Sequence, residues 1–83
     1  MGCSCGSSIR AFQIKIGEED RVVFGLDQVI LSTIVSLPKT DEEAAEQLWY
    51  GIQMYNEFPE DEKESFQKVL LEIYRVNKKA YES

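Results

Sequence analysis

The chain has 83 residues, of which 43% are hydrophobic, and it carries a formal net charge of -6 with no histidine. A chain of this length and composition forms one globular domain with a single small core. The absence of histidine excludes His-based catalytic triads and His-ligated zinc sites, and the acidic excess, with no basic stripe beside it, argues against nucleic-acid binding.

The first eight residues, MGCSCGSS, offer little apolar surface to bury. Ordering such a segment costs conformational entropy that nothing offsets, so the sequence predicts a flexible Cys/Gly/Ser tail over residues 1–8 and a single small α+β domain over residues 9–83. No apolar run approaches the roughly 20 residues that span a bilayer, and the N-terminus lacks the apolar segment of a signal peptide. We therefore expect a cytoplasmic protein that does not contact membranes.

Apolar and polar side chains alternate in RAFQIKI, residues 10–16, which is the period-two pattern of a half-buried strand. The charged segment GEED, residues 17–20, is typical of a hairpin loop, and RVVF, residues 21–24, returns as a second strand. A lone two-stranded hairpin is marginal in water, so we expect its apolar face to pack against helices.

The segment LDQVILSTIVSL, residues 26–37, places apolar residues mainly at three- and four-residue steps. This spacing favours a helix, but the density of Val, Ile and Thr leaves a third strand as the alternative. Pro38 ends the element in either case, because proline has no backbone N–H to continue a helix or a sheet ladder.

The next helix is predicted to begin at Thr40, because Thr40 and Glu43 have the Ser/Thr-x-x-Glu spacing of a capping box. The apolar pattern carries it through Asn56. Gly51 within this helix indicates either close packing against another helix or a kink. The inward face consists of residues at helical spacing: Ala45, Leu48, Trp49, Ile52 and Tyr55.

A third helix is predicted over residues 59–81, with Pro59 at its first helical position. Acidic residues near its start, and Lys78 and Lys79 near its end, suit the helix dipole. Its apolar residues form one stripe that needs a partner surface: Phe66, Val69, Leu70, Ile73, Val76, Ala80 and Tyr81. Together the elements predict an α+β domain in which a two-stranded antiparallel β-hairpin packs against three α-helices.

Cys3 and Cys5 are the residues that point most directly to chemistry. Two thiolates one residue apart can bind a soft metal such as Zn(II) or Cu(I), or pass it to another protein, but they are too few for a closed tetrahedral zinc site. A Cys-x-Cys pair can also exchange disulfides. The alternative is that the two cysteines have no specific role.

Two surface features bear on function. The acidic residues near positions 41–46 and 60–64 are explained by two helix N-termini, so we assign them no catalytic or calcium-binding role. Tyr50 and Met54 fall outside the inward face of the second helix. They predict a small exposed apolar patch on which a protein partner can dock.

A Cys/Gly-rich N-terminus is followed by a hairpin ending in GLDQV, residues 25–29, and by NEFP, residues 56–59, before a helix containing ESFQKVLLEIY, residues 64–74. In this order of motifs, over nearly its whole length, the chain resembles small uncharacterised proteins of anaerobic bacteria and archaea. The resemblance implies thiol, metal or iron–sulfur chemistry through Cys3 and Cys5, and it implies no catalytic residue.

The sequence therefore predicts a small non-enzymatic accessory protein. In this hypothesis the tail with Cys3 and Cys5 binds or transfers a soft metal or cluster, or exchanges disulfides, while the folded body docks on a protein partner. The competing hypothesis is an acidic protein-interaction module with incidental cysteines, in which the acidic helical face or the patch at Tyr50 and Met54 makes the contact.

Overall fold

The structure, a computed structural model, describes residues 9–82. Cys3, Cys5 and the rest of the predicted tail lie outside the described residues. The elements in chain order are β1 (Ala11–Ile16), β2 (Glu19–Phe24), α1 (Leu26–Ser36), α2 (Asp41–Gln53), a 3₁₀ turn (Glu60–Glu62) and α3 (Lys63–Glu82). The predicted fold class is confirmed: an antiparallel two-stranded hairpin accompanies three helices. No helix within residues 9–82 is both long and apolar enough to cross a bilayer.

The hairpin turn is shorter than predicted. Strand pairing reaches Ile16 and Glu19, which leaves only Gly17 and Glu18 as the loop. Gly17 has a positive φ of 64° and Glu18 does not have a positive φ, which is the combination that a tight type II′ hairpin turn requires. Glu19 and Asp20, predicted as loop residues, therefore belong to β2, and Asp20 lies 4.0 Å from Lys15 across the strands.

Residues 26–37, for which the sequence left a helix or a third strand open, form helix α1. The alternative prediction of a third strand is therefore wrong. The helix begins after Gly25, whose φ of 73° is left-handed, and it ends at Ser36, before Leu37, whose φ is 55°. The N–H of Leu37 donates to the carbonyl of Ile34 at 3.2 Å. The chain thus leaves the helix one residue before Pro38, as the steric restriction of residues preceding proline favours.

The predicted cap of α2 is confirmed, and its predicted end is not. The hydroxyl of Thr40 accepts from the Glu43 N–H at 3.1 Å, and a Glu43 carboxylate oxygen reaches back to the N–H of Lys39 at 2.7 Å. The helix stops at Gln53 and not at Asn56. The side chains of Gln53 and Asn56 bond backbone groups outside the helix, and these bonds replace the last predicted turn.

The start of α3 also differs from the prediction. Pro59 is extended, with φ of -70° and ψ of 148°, and so precedes the helical turn. Its carbonyl accepts from the Glu62 N–H at 3.1 Å, which is the tighter spacing of a 3₁₀ turn. Helix α3 proper begins at Lys63, four residues later than predicted.

The core lies where α2, α3, α1 and the inner face of the hairpin meet. Trp49 and Phe66 are fully buried with ring centroids 5.8 Å apart, and Phe58 lies 4.3 Å from Phe66. Most of the predicted α2 face is confirmed, since Ala45, Leu48, Trp49 and Ile52 are all buried, and Tyr55 is half-buried just beyond the helix.

The predicted stripe of α3 is correct only for its first half. Phe66 and Leu70 are buried and Tyr74 continues the buried row, whereas Val76 and Tyr81, as well as Ala80, are exposed. Arg75 forms an ion pair with Asp41, the first residue of α2. At about 1.5 Å per residue, the 20-residue helix α3 is longer than the 13-residue helix α2. After residue 75, α3 therefore projects past the N-terminal end of α2, and its side chains have no α2 surface to pack against.

Gly51 allows α1 and α2 to pack closely. A Cβ atom placed on Gly51 would lie 2.6 Å from Cγ1 of Val29 on α1. Because α2 runs without a break from Asp41 to Gln53, the structure selects close packing over the kink.

Candidate interaction surface

The loop over residues 54–59, between α2 and the 3₁₀ turn, is held by two side-chain amides. Gln53 donates from Nε2 to the Phe58 carbonyl at 3.0 Å and accepts from the Phe58 N–H at 3.1 Å. Asn56 makes the same kind of reciprocal pair with the backbone of Phe24, with both distances 3.0 Å, and also donates to the Ile52 carbonyl. These bonds fix the loop against α2 and against the outer edge of β2.

Strand β2 is joined to the 3₁₀ turn by a charged pair. Nη1 of Arg21 donates to Oε1 of Glu62 at 3.0 Å, and Nη2 donates to Oε2, so the guanidinium contacts both carboxylate oxygens. Nη2 also contacts Glu19 at 3.3 Å. The hydrogen bond to Glu62 raises the pKa of Arg21 above the ordinary arginine value, so the residue stays charged at any physiological pH.

Tyr55 connects the loop to the start of α1. Its ring lies against Gly25 so closely that a Cβ there would be 2.6 Å from the ring, and its hydroxyl donates to Oε1 of Gln28 at 2.9 Å. The loop is therefore fixed on three sides: by α2, by β2 and by α1.

This fixed loop presents an exposed apolar surface, which we call the Met54 patch and define as Val22, Phe24, Tyr50 and Met54. Met54 is 81% exposed, more than any other large hydrophobic side chain within residues 9–82, and Tyr50 is 60% exposed. Met54 lines two adjoining depressions, one shared with Val22 and Phe24 and the other with Tyr50 between α1 and α2. The four residues thus form one continuous surface.

Acidic side chains surround the Met54 patch. Glu43 and Glu46 line the depression beside Tyr50, and Glu57 lines the depression beside Phe24. Lys63 is a base beside the patch: its Nζ lies 5.3 Å from the centroid of the Tyr50 ring and 3.3 Å from Oε2 of Glu46. The patch therefore combines an apolar centre with a mainly negative rim.

The sequence located half of this surface. Tyr50 and Met54 were predicted to be exposed because both fall off the inward face of α2, and they are. Val22 and Phe24 were missed. The signal was present in RVVF, because three consecutive apolar residues in a strand cannot all face the same core.

Several of the acidic residues near the two helix starts have structural roles. Glu43 caps α2, Glu62 pairs with Arg21, and Glu60 lies 3.9 Å from Lys63. Within residues 9–82 no three His, Cys, Asp or Glu side chains come together as metal ligands. The predicted soft-metal site therefore depends on Cys3 and Cys5, outside the described residues.

No protein-family model, curated protein sequence or solved structure matches the chain. The resemblance to small proteins of anaerobes stays a prediction.

Proposed function

We propose that the protein is a non-enzymatic accessory protein whose folded body docks on a protein partner through the Met54 patch. The exposure of Met54 on a fixed loop carries this proposal. A long thioether side chain in water costs free energy that a partner surface recovers, and methionine adapts its shape to the partner it meets. Because the loop is already held by the amides of Gln53 and Asn56, binding orders little additional backbone.

The rim defines the chemistry of the partner. With Glu43, Glu46 and Glu57 around an apolar centre, the complementary surface is an apolar side-chain cluster flanked by lysine or arginine. Such pairing accelerates association and weakens as salt concentration rises, because exposed charges are screened.

Met54→Ser tests the proposal, with Val76→Ser as the matched control. Val76 is 69% exposed on α3 and lies outside the Met54 patch, so both variants remove one exposed apolar side chain. In capture from an extract of the source cells, we expect one protein to be retained by the wild type and by Val76→Ser, lost by Met54→Ser, and bound less as salt is raised. Equal retention by both variants, or binding that is indifferent to salt, would overturn the proposal.

A second candidate function belongs to Cys3 and Cys5, and the Cys-x-Cys spacing is the observation that favours it. We propose that the pair binds or transfers Zn(II), Cu(I) or an iron–sulfur cluster, or exchanges disulfides. Two thiolates leave a tetrahedral metal with open positions, which a docked partner can fill. The two candidate functions are therefore compatible.

Anaerobic metal analysis and thiol titration of the wild type and of a Cys3→Ser/Cys5→Ser variant test this candidate. Metal bound at fixed stoichiometry only by the wild type supports it. If both proteins are free of metal, and the oxidised wild type exchanges no faster with a small thiol than a simple alkyl disulfide does, the cysteines have neither role.

A further inference from the structure

The two outer edges of the hairpin differ in how they are covered. The N–H of Gly25 donates to the carbonyl of Arg10, which makes residues 10 and 25 a hydrogen-bonded pair. Because such pairs alternate along an antiparallel ladder, the N–H and C=O groups of Ala11, Gln13 and Lys15 point away from β2. On the opposite edge, the outward groups of Phe24 are bonded by Asn56.

An apolar groove of about 580 Å³ runs along the edge of β1 that faces away from β2. Phe12 and Ile14 lie on one face of β1 and Gln13 lies on the other, yet all three line the groove. Only a cavity at the strand edge can contact both faces, and β2 occupies the other edge. The remaining walls come from α1 and α3, and include Leu26, Ile30, Ile34, Ile73, Ala80 and Tyr81.

This edge carries few of the features that keep strand edges apart. Strand β1 contains no proline, and Lys15 is its only charged residue. Its six residues pair with β2 without a bulge. An edge that no part of residues 9–82 covers, beside an apolar groove, is a surface onto which another strand can add. The backbone of that strand would bond the edge, and its alternate side chains would enter the groove.

We propose that the strand that adds here is β1 of a second copy of this chain, paired antiparallel across a two-fold axis at Ile14. The groove requires an extended segment with apolar side chains at alternate positions, and β1 itself supplies Phe12 and Ile14 in that pattern. An antiparallel edge is self-complementary under a two-fold rotation, because each outward N–H meets an outward C=O of the other copy.

The side chains select this register over its neighbours. With Ile14 on the axis, Ile14 lies opposite its own copy, Phe12 lies opposite Ile16, and Gln13 lies opposite Lys15. An axis at Lys15 would place two lysines directly opposite each other, and an axis at Ala11, Phe12 or Gln13 would oppose Arg10 with an apolar residue, so these are disfavoured. The product is a four-stranded sheet with β2 at each end, and this assembly does not depend on the Met54 patch.

Gln13→Pro and Val22→Pro form a matched pair of tests. Gln13 and Val22 face each other in the register, and the N–H of each points away from the other strand, so proline at either position leaves the β1–β2 ladder intact. Sedimentation should show that the wild type is a dimer. The dissociation constant of the dimer should rise at least about tenfold in Gln13→Pro and stay near the wild-type value in Val22→Pro. Circular dichroism verifies that both variants fold.

Amide hydrogen exchange of the full wild-type chain provides a second measurement that needs no variant. Protection of the Gln13 and Lys15 amides should rise with protein concentration, while the outward amides of Asp20 and Val22 should not change. A protein that stays monomeric up to about 1 mM overturns the proposal. So does a dimer that Gln13→Pro leaves intact, or a monomer whose Gln13 amide is protected at every concentration, which would mean that another part of the same chain covers the edge.

Discussion

Substituting Gly51 by alanine tests the close approach of α1 and α2, because two opposing effects have calculable signs there. At an open helical position, Gly→Ala stabilises a protein by about 1 kcal/mol through helix propensity. At Gly51 the new Cβ would lie 2.6 Å from Cγ1 and 3.2 Å from Cγ2 of Val29. Val29 is buried and β-branched, so it has essentially one helical rotamer and cannot turn aside. The two helices must therefore move apart.

Overpacking of this kind costs about 1–3 kcal/mol, which exceeds the propensity gain, so we expect Gly51→Ala to lower the free energy of unfolding by roughly 1 kcal/mol. Val29→Ala alone should cost about 2 kcal/mol, because it removes two buried methyl groups. In the double variant the clash disappears and the new methyl group fills part of the cavity. The double variant should therefore be at least about 1 kcal/mol more stable than the sum of the two single changes predicts.

Urea unfolding followed by circular dichroism measures all three variants. Lys68→Gly at an exposed position of α3 provides the control, since it reports the glycine penalty in this protein without a packing change. If Gly51→Ala proves stabilising by the amount that Lys68→Gly is destabilising, or if Gly51→Ala and Val29→Ala are additive, the helices do not pack as described.

Three further substitutions test the backbone features around the candidate surfaces. Gly25→Ala should cost more than about 2 kcal/mol, because it combines a left-handed φ with a clash against the Tyr55 ring; a cost near zero in urea unfolding would contradict both. Leu37→Gly should raise the melting temperature and stabilise by about 0.5–1 kcal/mol, because Leu37 is left-handed and 70% exposed; a lower melting temperature would show that its side chain contributes more than the strain costs. Asn56→Ala should cost about 1–2 kcal/mol and accelerate exchange of the Phe24 amide, and an unchanged exchange rate would show that the reciprocal pair does not form.

Local periodicity was enough to predict the hairpin, the three helices and the cap at Thr40. These features depend on residues close in sequence, so a short stretch of the sequence is enough to predict them. The alternation in β1 and the buried positions of α2 follow directly from such patterns. Even the uncertain segment after Gly25 follows the spacing of its apolar residues, which outweighed the strand preference of its Val, Ile and Thr side chains.

The errors come from contacts between distant residues. The exposure of Val76 and Tyr81 depends on where α2 begins beside α3, because α3 extends past the N-terminus of α2 at Asp41. The apolar stripe of α3 does not contain this length relationship. The early end of α2 depends on Asn56 pairing with Phe24, which lies 32 residues earlier. For the candidate surface, the exposure of Met54 was readable from helix geometry, but its continuity with Val22 depends on the folded loop.

The two proposed surfaces reinforce each other geometrically. Pairing through β1 would leave both copies of β2 at the ends of the four-stranded sheet, and the Met54 patch lies beside β2, so dimer formation would cover neither copy of the patch. A dimer would then display two equivalent docking sites at opposite ends. Engagement of both sites by a partner with two binding surfaces would gain avidity without any new contact, provided that the partner spans the sheet. The bonds that Asn56 makes to Phe24 serve this arrangement, because they occupy the outward backbone groups at the C-terminal end of β2 and so hinder the addition of further copies along that edge.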